Sequence, residues 1–224
     1  MLDRRSHPSL MHVADHPTPL HTVAYGVTIR YRMEMRNRER LKTEDWTTAA
    51  LVALAEGGIA AVAVEPLATS LGATKGSFYW HFSNRDALVE AALLEWERID
   101  TEEVIALVQE EPDVHRRLRT LLAVAIGDES ERSGNRVELA LQSTAGHPLV
   151  APVLARVTDR RVRYLTDQFS ALGFDAEHSR QRALLAYTAY LGHAQLAHAT
   201  PGAAPTDSEL SAYIDSVIAR LIAP

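Results

Sequence analysis

Apolar residues recur at helical spacing along most of the chain, and turn-forming residues separate the helical segments. The stretch "TEDWTTAALVALAEGG", which begins at Thr43, places Trp46, Leu51 and Leu54 on one face and ends in a glycine pair. This pattern predicts a first amphipathic helix that stops at Gly57. The following "IAAVAV" is short and lacks flanking turn residues, so it is interpreted as a packed connector.

A second and a third helix follow at once. Pro66 falls in the first turn of a helix that begins near Val64, where its fixed φ favours helix formation. Gly72 stands where a left-handed helix cap is wanted, and Thr74 is a typical N-cap for a third helix that runs to about Phe82. Two short helices joined by a tight, glycine-containing turn are typical of DNA-binding helix-turn-helix units.

The third helix is predicted to have an apolar and a polar side. Phe78 and Phe82 are four residues apart and share a face, which we expect to pack on the first helix. The opposite side carries an ammonium group, two hydroxyls and an imidazole, which are groups that bind phosphates and base edges. These residues are Lys75, Ser77, Tyr79 and His81, with Gly76 admitting the backbone close to a target. The alternative is an ordinary helical hairpin with a solvated polar face.

The remainder of the chain also predicts helices, and no segment has the alternation of a strand. The expected helices cover residues 86–108, 114–126, 137–143, 149–172, 176–199 and 208–222, with Thr206 or Asp207 capping the last. The predicted fold class is therefore all-α, with three amino-terminal helices that contain the helix-turn-helix and a carboxyl-terminal helical bundle.

Composition narrows the class of protein. The chain has 224 residues, 46% of them hydrophobic, and no cysteine. It can therefore bury a sizeable core but has no disulfide, thiolate zinc site or cysteine nucleophile, which favours a reducing compartment, the cytoplasm. No apolar segment predicts a membrane span.

Charge is distributed unevenly. The net charge is −6, yet residues 30–85 hold eight basic and six acidic side chains, whereas residues 86–224 hold 13 Arg and no Lys against 21 acidic residues. Two parts with different electrostatics indicate two roles.

The first 39 residues predict a flexible extension. "HPSLMHVADHPTPLH" is rich in Pro and His and has no helical or strand period, and its histidine spacings fit no defined metal site. Its basic end, "IRYRMEMRNRERLK", leaves open an arm that reaches DNA phosphates or a minor groove. A later start at Met33 or Met35 is a further alternative.

Three stretches carry a resemblance to a known family: "AALVALAEGG", "VEPLATSLGATKGSFYWHF" and "SNRDALVEAAL". Across about 50 residues the chain resembles the TetR family of one-component transcriptional regulators. The run from Gly76 to Phe82, followed by Arg85 and Leu88, is highly specific to that family.

The resemblance implies a set of DNA contacts. Tyr79 and His81 occupy phosphate-contacting positions, and Arg85 stands where the family usually has a phosphate-binding lysine. The full implied set is Thr43, Thr74, Lys75, Gly76, Ser77, Tyr79, Trp80, His81 and Arg85. Two residues depart from the family pattern: Ala63 replaces a capping Thr, at a cost of about 1 kcal/mol, and Pro66 replaces an acidic residue.

The resemblance also implies an organisation and a mechanism. Residues 1–39 form the extension, 40–85 the DNA-binding domain and 86–224 the effector-binding and dimerisation domain. The expected protein is a homodimer that binds a palindromic double-stranded DNA operator and is released by a small-molecule effector. The closing helices fit either the dimer interface or the core, through Leu184, Leu185, Thr188, Leu191, Gln195, Ile214, Val217, Ile218 and Leu221.

Aromatic and polar groups on otherwise apolar helical faces are the candidates for effector contacts. The candidates are Trp96, Gln142, His147, Tyr164, Tyr187 and His193, each of which also fits an ordinary core or surface role. His193 and His198 lie on different helical faces, so neither a metal site nor a cofactor is expected.

Two alternatives to a ligand-responsive repressor remain: an activator of the same family, and a helical ligand-binding sensor module that has lost DNA binding. An enzyme with His147 or His193 as general base is the alternative from another class. The sequence has no nucleophile elbow, phosphate loop, paired-carboxylate motif or metal-ligand spacing to support it, so the chain is predicted not to be an enzyme.

Overall fold

The computed structural model describes residues 41–127 and 133–223, and in this part of the chain it contains ten α-helices and no strand. The predicted all-α fold is therefore confirmed. The α-helices are α1 (Thr43–Ala61), α2 (Val64–Ser70), α3 (Lys75–Phe78), α4 (Arg85–Glu97), α5 (Val104–Gln109), α6 (Val114–Ile126), α7 (Ser133–Gln142), α8 (Ala151–Ala171), α9 (Ala176–Ala199) and α10 (Asp207–Leu221). The predicted extension, residues 1–39, and the arm proposed within it lie outside the described residues.

Helix α1 does not end at the glycine pair. Gly57 and Gly58 leave helical geometry, with φ of −146° and 65°, and the helix then resumes through Ala61. The positive φ of Gly58 redirects the chain so that Ile59 reaches the core, where it is 7% exposed. The predicted connector thus begins with the last turn of α1.

Helix α3 is shorter than predicted. It ends at Phe78, but the backbone N–H groups of Trp80 and His81 donate to the carbonyls of Ser77 and Phe78 at 3.2 and 2.9 Å. These tighter, three-residue turns keep the segment coiled as far as Phe82. The predicted Thr74 cap is present, since its hydroxyl accepts from the Ser77 N–H at 3.2 Å.

The helix predicted over residues 86–108 is interrupted by a π-helix. Helix α4 passes into the π-helical segment Arg98–Glu103, which leads directly into α5. π-Helical turns widen a helix locally and expose its backbone groups to other partners. Helix α7 begins at Ser133, earlier than the predicted start near Val137, while α6, α8, α9 and α10 match their predicted bounds within two residues.

Two large apolar cores hold the helices together, and a small third cluster packs Ile105 and Val108 of α5 on Tyr164 of α8. The first joins α1 to α4 and α7, with Trp46, Leu54, Leu93 and Leu141 fully buried in it. Because α4 contributes its whole inner face, this core continues past residue 85 into the carboxyl-terminal part. The second core lies among α6, α8, α9 and α10.

The two closing helices use their apolar residues differently. Ile214, Ile218 and Leu221 of α10 are buried in the second core, whereas Leu184 and Leu185 of α9 are 41% and 58% exposed. Of the open alternatives, a core role therefore belongs to α10, and an exposed apolar face belongs to α9. None of the described helices is long and apolar enough to cross a membrane.

Candidate nucleic-acid interface and ligand cavity

The turn between α2 and α3 has the geometry that its residues dictate. Gly72 adopts a φ of 62°, and its N–H donates to the carbonyl of Thr69 at 3.1 Å. The next N–H, that of Ala73, donates to the carbonyl of Ala68 at 2.8 Å. These bonds close α2 with a left-handed glycine and set the start of α3.

Aromatic packing fixes this unit on α1. Phe78 is fully buried, meets Trp46 edge to face with ring centroids 5.4 Å apart, and stacks on Phe82 at 5.7 Å. The predicted apolar face of the third helix is therefore the buried one, and the opposite face is turned to solvent.

The sequence-predicted contact residues lie on that solvent-facing side. Trp80 is 83% and Tyr79 55% exposed, which is unusual for large aromatic residues of a single chain. Thr43, Thr74, Lys75 and Gly76 are exposed, and Ser77, His81 and Arg85 are half-buried. Thr43 is joined to His81 across 38 positions by a 3.2 Å hydrogen bond between its Oγ1 and the imidazole Nδ1.

Lys75 already has a partner. Its Nζ donates to Glu65 Oε1 at 2.8 Å, and both side chains are largely exposed. This hydrogen bond, followed by the charge attraction, raises the pKa of Lys75 and lowers the pKa of Glu65. The pair tilts the ammonium group towards α2, and Glu65 was not recognised from the sequence as part of the interface.

Arg85 joins two helix ends. Its Nε donates to the carbonyl of Val62 at 2.6 Å, its Nη2 to the carbonyl of Ile59, and its Nη1 lies 3.3 Å from Asp86. The guanidinium therefore satisfies carbonyl groups at the end of α1, next to the glycine kink, from the first residue of α4. The sequence indicated only a phosphate contact at this position.

A cavity of about 450 Å³ lies among α4, the π-helix, α5, α6, α7, α8 and α9. Of the predicted effector contacts, Trp96, Tyr164 and Tyr187 line it. The other three are not among its lining residues, and each has another contact. His147 accepts the Leu149 N–H in the turn before α8, Gln142 donates to Glu138, and His193 stacks on Tyr213 with centroids 5.6 Å apart.

A buried ion pair stands beside the cavity and was missed in the sequence. Arg161 of α8 donates from Nη1 to Glu138 Oε2 of α7 at 2.5 Å, and the two side chains are 13% and 1% exposed. Arg161 also donates from Nε to Thr101 Oγ1 and from Nη2 to the carbonyl of Asp100, at 2.9 and 3.1 Å. It thereby holds the π-helix that follows α4.

Two tyrosines complete this polar cluster. The hydroxyl of Tyr190 lies 3.0 Å from Asn135 Oδ1 and 3.3 Å from Glu138 Oε2, and that of Tyr187 lies 3.3 Å from Glu138 Oε1. Burial, followed by the charge of Glu138, raises the pKa of both phenols. Burial alone lowers the pKa of Arg161, but Glu138 and the two tyrosines outweigh it and the net shift is upward. Arg161 therefore stays cationic inside the protein.

The helix-turn-helix matches a known family. Residues 47–92 match the family described as "Bacterial regulatory proteins, tetR family". Residues 47–92 therefore form a DNA-binding domain of the TetR family. Among curated proteins none matches the chain.

Solved structures of TetR-family and other transcriptional regulators have a similar fold. A transcriptional regulator from Rhodococcus sp. Rha1 is 21% identical, with a TM-score of 0.67 over 81% of this chain and 96% of that chain. A TetR-family regulator from Mesorhizobium loti is 18% identical, with a TM-score of 0.60 over 80% and 94%. A transcriptional regulator from Saccharomonospora viridis, solved in complex with choline, is 16% identical, with a TM-score of 0.67 over 79% and 94%. At these identities the likeness establishes the fold, and the matched share of the chain, 79–81%, extends well beyond residues 47–92.

Proposed function

We propose that this TetR-family transcriptional regulator is a repressor that binds a palindromic operator as a homodimer and is released by a small-molecule effector. The DNA reader is the exposed side of the helix-turn-helix, where Tyr79 and His81 meet phosphates. Lys75, Ser77 and Trp80 meet bases or the adjoining backbone. Thr43, held against His81, adds a phosphate contact from the start of α1.

The observation that carries the effector role is that the cavity shares its wall with the helix that supports the DNA reader. Trp96, near the end of α4, lines the cavity, and Arg161 bonds the π-helix that continues α4. A ligand that favours another position of this segment shifts α4 and with it the helix-turn-helix. That a regulator of similar fold was solved with choline supports a small-molecule effector.

The proposed division of labour places DNA binding in residues 40–85 and effector binding and dimerisation in residues 86–224. Helix α4 packs in the first core and lines the cavity through Trp96, so it is the element that transmits the change. The protein acts in the cytoplasm, where its operator is found.

Selection of bound sequences from a random duplex pool, with the full chain at moderate salt, tests the proposal. We expect an enriched palindrome whose half-sites are about one helical turn apart. Binding should weaken for every sequence in Tyr79→Phe, which removes only a hydroxyl, while Tyr213→Phe, far along the chain on α10, serves as the matched control.

The outcome also separates the two alternatives. If a palindrome is enriched, it is placed upstream of a reporter gene. Reporter expression that rises when the protein is present indicates an activator. No enrichment, with or without added candidate ligands, contradicts the DNA-binding role and favours a sensor module.

A further inference from the structure

The polar wall of the cavity has an unequal supply of hydrogen-bond donors and acceptors. Glu138 is not among the lining residues, and its oxygens are occupied by Arg161, Gln142, Tyr187 and Tyr190. A carboxylate offers about four acceptor positions. Glu138 therefore bonds mainly within the protein, and it does not line the cavity where a ligand would lie.

Arg161, in contrast, lines the cavity and has donors to spare. A guanidinium has five N–H groups. Within the part of the chain that the structure describes, Arg161 makes three hydrogen bonds, to Thr101, Glu138 and the Asp100 carbonyl. Its planar group lies 5.6 Å from the centre of the Trp96 ring and 5.8 Å from that of Tyr190, so it is held between two aromatic walls.

Two further lining residues carry polar atoms without a partner. Trp96 Nε1 and the Tyr164 hydroxyl are buried and have no hydrogen-bond partner among the described residues. Trp96 is 1% and Tyr164 5% exposed. An indole N–H is a donor only, and a buried group of this kind is costly unless a partner reaches it. Among the buried groups of the wall, Arg161, Trp96 and Tyr164 therefore all have donors to offer, whereas the lining carboxylates of Glu103 and Glu110 are exposed.

Charge selects among ligands that supply acceptors. Glu138 already neutralises Arg161, so a second anion would add an uncompensated charge to a buried site. The other charged residues that line the cavity are acidic, Asp100, Glu103 and Glu110, and they also oppose an anion. A cationic ligand could pair with Glu103 or Glu110, which are exposed, but beside Arg161 it would be repelled and its charged group would offer no acceptor to the guanidinium. Most of the remaining wall is aliphatic or aromatic.

We propose that the effector is an uncharged, largely apolar molecule that presents a carbonyl-type oxygen to Arg161. This inference rests on the effector role proposed above. The cavity of about 450 Å³ is in the range of ordinary small-molecule sites. A ligand oxygen that accepts from the spare donors of Arg161 would lie beside the bonds that Arg161 makes to the π-helix, which links occupancy to α4.

Three probes of matched length test the ligand class: methyl decanoate, decanoic acid and decylamine. Calorimetric titration of the full chain at neutral pH should rank the ester at least about tenfold tighter than the carboxylate or the ammonium. Tighter binding of either charged probe, equal binding of all three, or no binding of any would overturn the proposal.

A neutral replacement of the ion pair tests Arg161 itself. Arg161→Met combined with Glu138→Gln avoids a lone buried charge, and ester affinity should fall about tenfold or more. The matched control is Arg160→Met with Glu102→Gln. Arg160 precedes Arg161 in the chain, its Nε lies 3.1 Å from Glu102 Oε1, and neither residue lines the cavity. Unchanged ester affinity in the first double variant contradicts the assignment of Arg161 as the ligand contact. If that variant does not fold, the order of the three probe affinities in the wild-type chain is the test.

The failure of this inference is distinguishable from failure of the proposed function. Operator binding is measured on the same preparations without probe. A chain that binds its operator but prefers a charged probe retains the proposed function with another effector class, whereas a chain that selects no operator refutes the function itself.

Discussion

The ion pair between Lys75 and Glu65 stands at the position where the proposed DNA reader needs a free cation. Both side chains are exposed, so the pair has little effect on folding stability. Its effect on binding is larger, because Glu65 both holds the ammonium and adds a negative charge near the proposed phosphate path. We therefore expect the pair to lower the nonspecific affinity of the proposed reader for DNA.

Glu65→Gln should raise the affinity for all duplexes by about two- to fivefold at low salt, because it removes the carboxylate and releases Lys75. Fluorescence anisotropy across a salt series is the measurement, and the gain should shrink as salt rises. In a Lys75→Ala background the gain should be smaller, which a double-mutant cycle quantifies. Equal gains in both backgrounds would show that the pair plays no part.

Arg85→Lys separates a phosphate contact from a structural bond. Lysine keeps the charge but cannot reproduce the fork that meets the carbonyls of Val62 and Ile59. We expect a loss of about 1–2 kcal/mol in the free energy of unfolding, measured by denaturant titration of the DNA-free protein. Arg98→Lys is the control, because Arg98 is exposed and its ion pairs within the described residues are with Glu95 and Glu103. Full stability of Arg85→Lys would leave phosphate binding as the role of this residue.

At the scale of elements, the sequence predicted most helices and the helix-turn-helix because both depend on local pattern. The periodic faces, the Thr74 cap and the Gly72 turn involve residues within a few positions of one another. The Arg161 and Glu138 pair joins residues 23 positions apart on two helices, and each resembles an ordinary surface charge in its own helix. The π-helix has no simple sequence signal. Helix α1 continues past its glycine pair because burial of Ile59 stabilises the extra turn.

The kink in α1 gives a prediction at this scale. Gly58 has a φ of 65°, where an added Cβ is strained although its closest neighbour, the Ala140 carbonyl, is 3.9 Å away. Gly58→Ala should therefore lower the free energy of unfolding by about 1–2 kcal/mol. Gly146→Ala is the control, because that position has ordinary φ and open space. Thermal denaturation of both variants is the measurement, and equal midpoints would contradict the role assigned to Gly58.

At the scale of the whole molecule, the apolar cores do not follow the change in charge near residue 85. The first core carries α4, α7 and α8 residues together with the helix-turn-helix, so the DNA reader is not an independent globule. The second core is closed by α10 and leaves one side of α9 uncovered. An uncovered apolar side on a closing helix is where a second copy of the chain would pack in the proposed homodimer.

Leu185→Glu should weaken that dimer. Leu185 is 58% exposed in the single chain, so a carboxylate there is tolerated by the fold but is buried without a partner on association. We expect the dimer dissociation constant, measured by sedimentation equilibrium, to rise by about tenfold or more. Affinity for a duplex with two half-sites should then approach that for one half-site, because the second recognition helix is no longer tethered. Leu94→Glu is the matched control, since Leu94 on α4 is 56% exposed and lies outside α9. If Leu185→Glu stays dimeric while Leu94→Glu dissociates, the interface is on α4 rather than on α9.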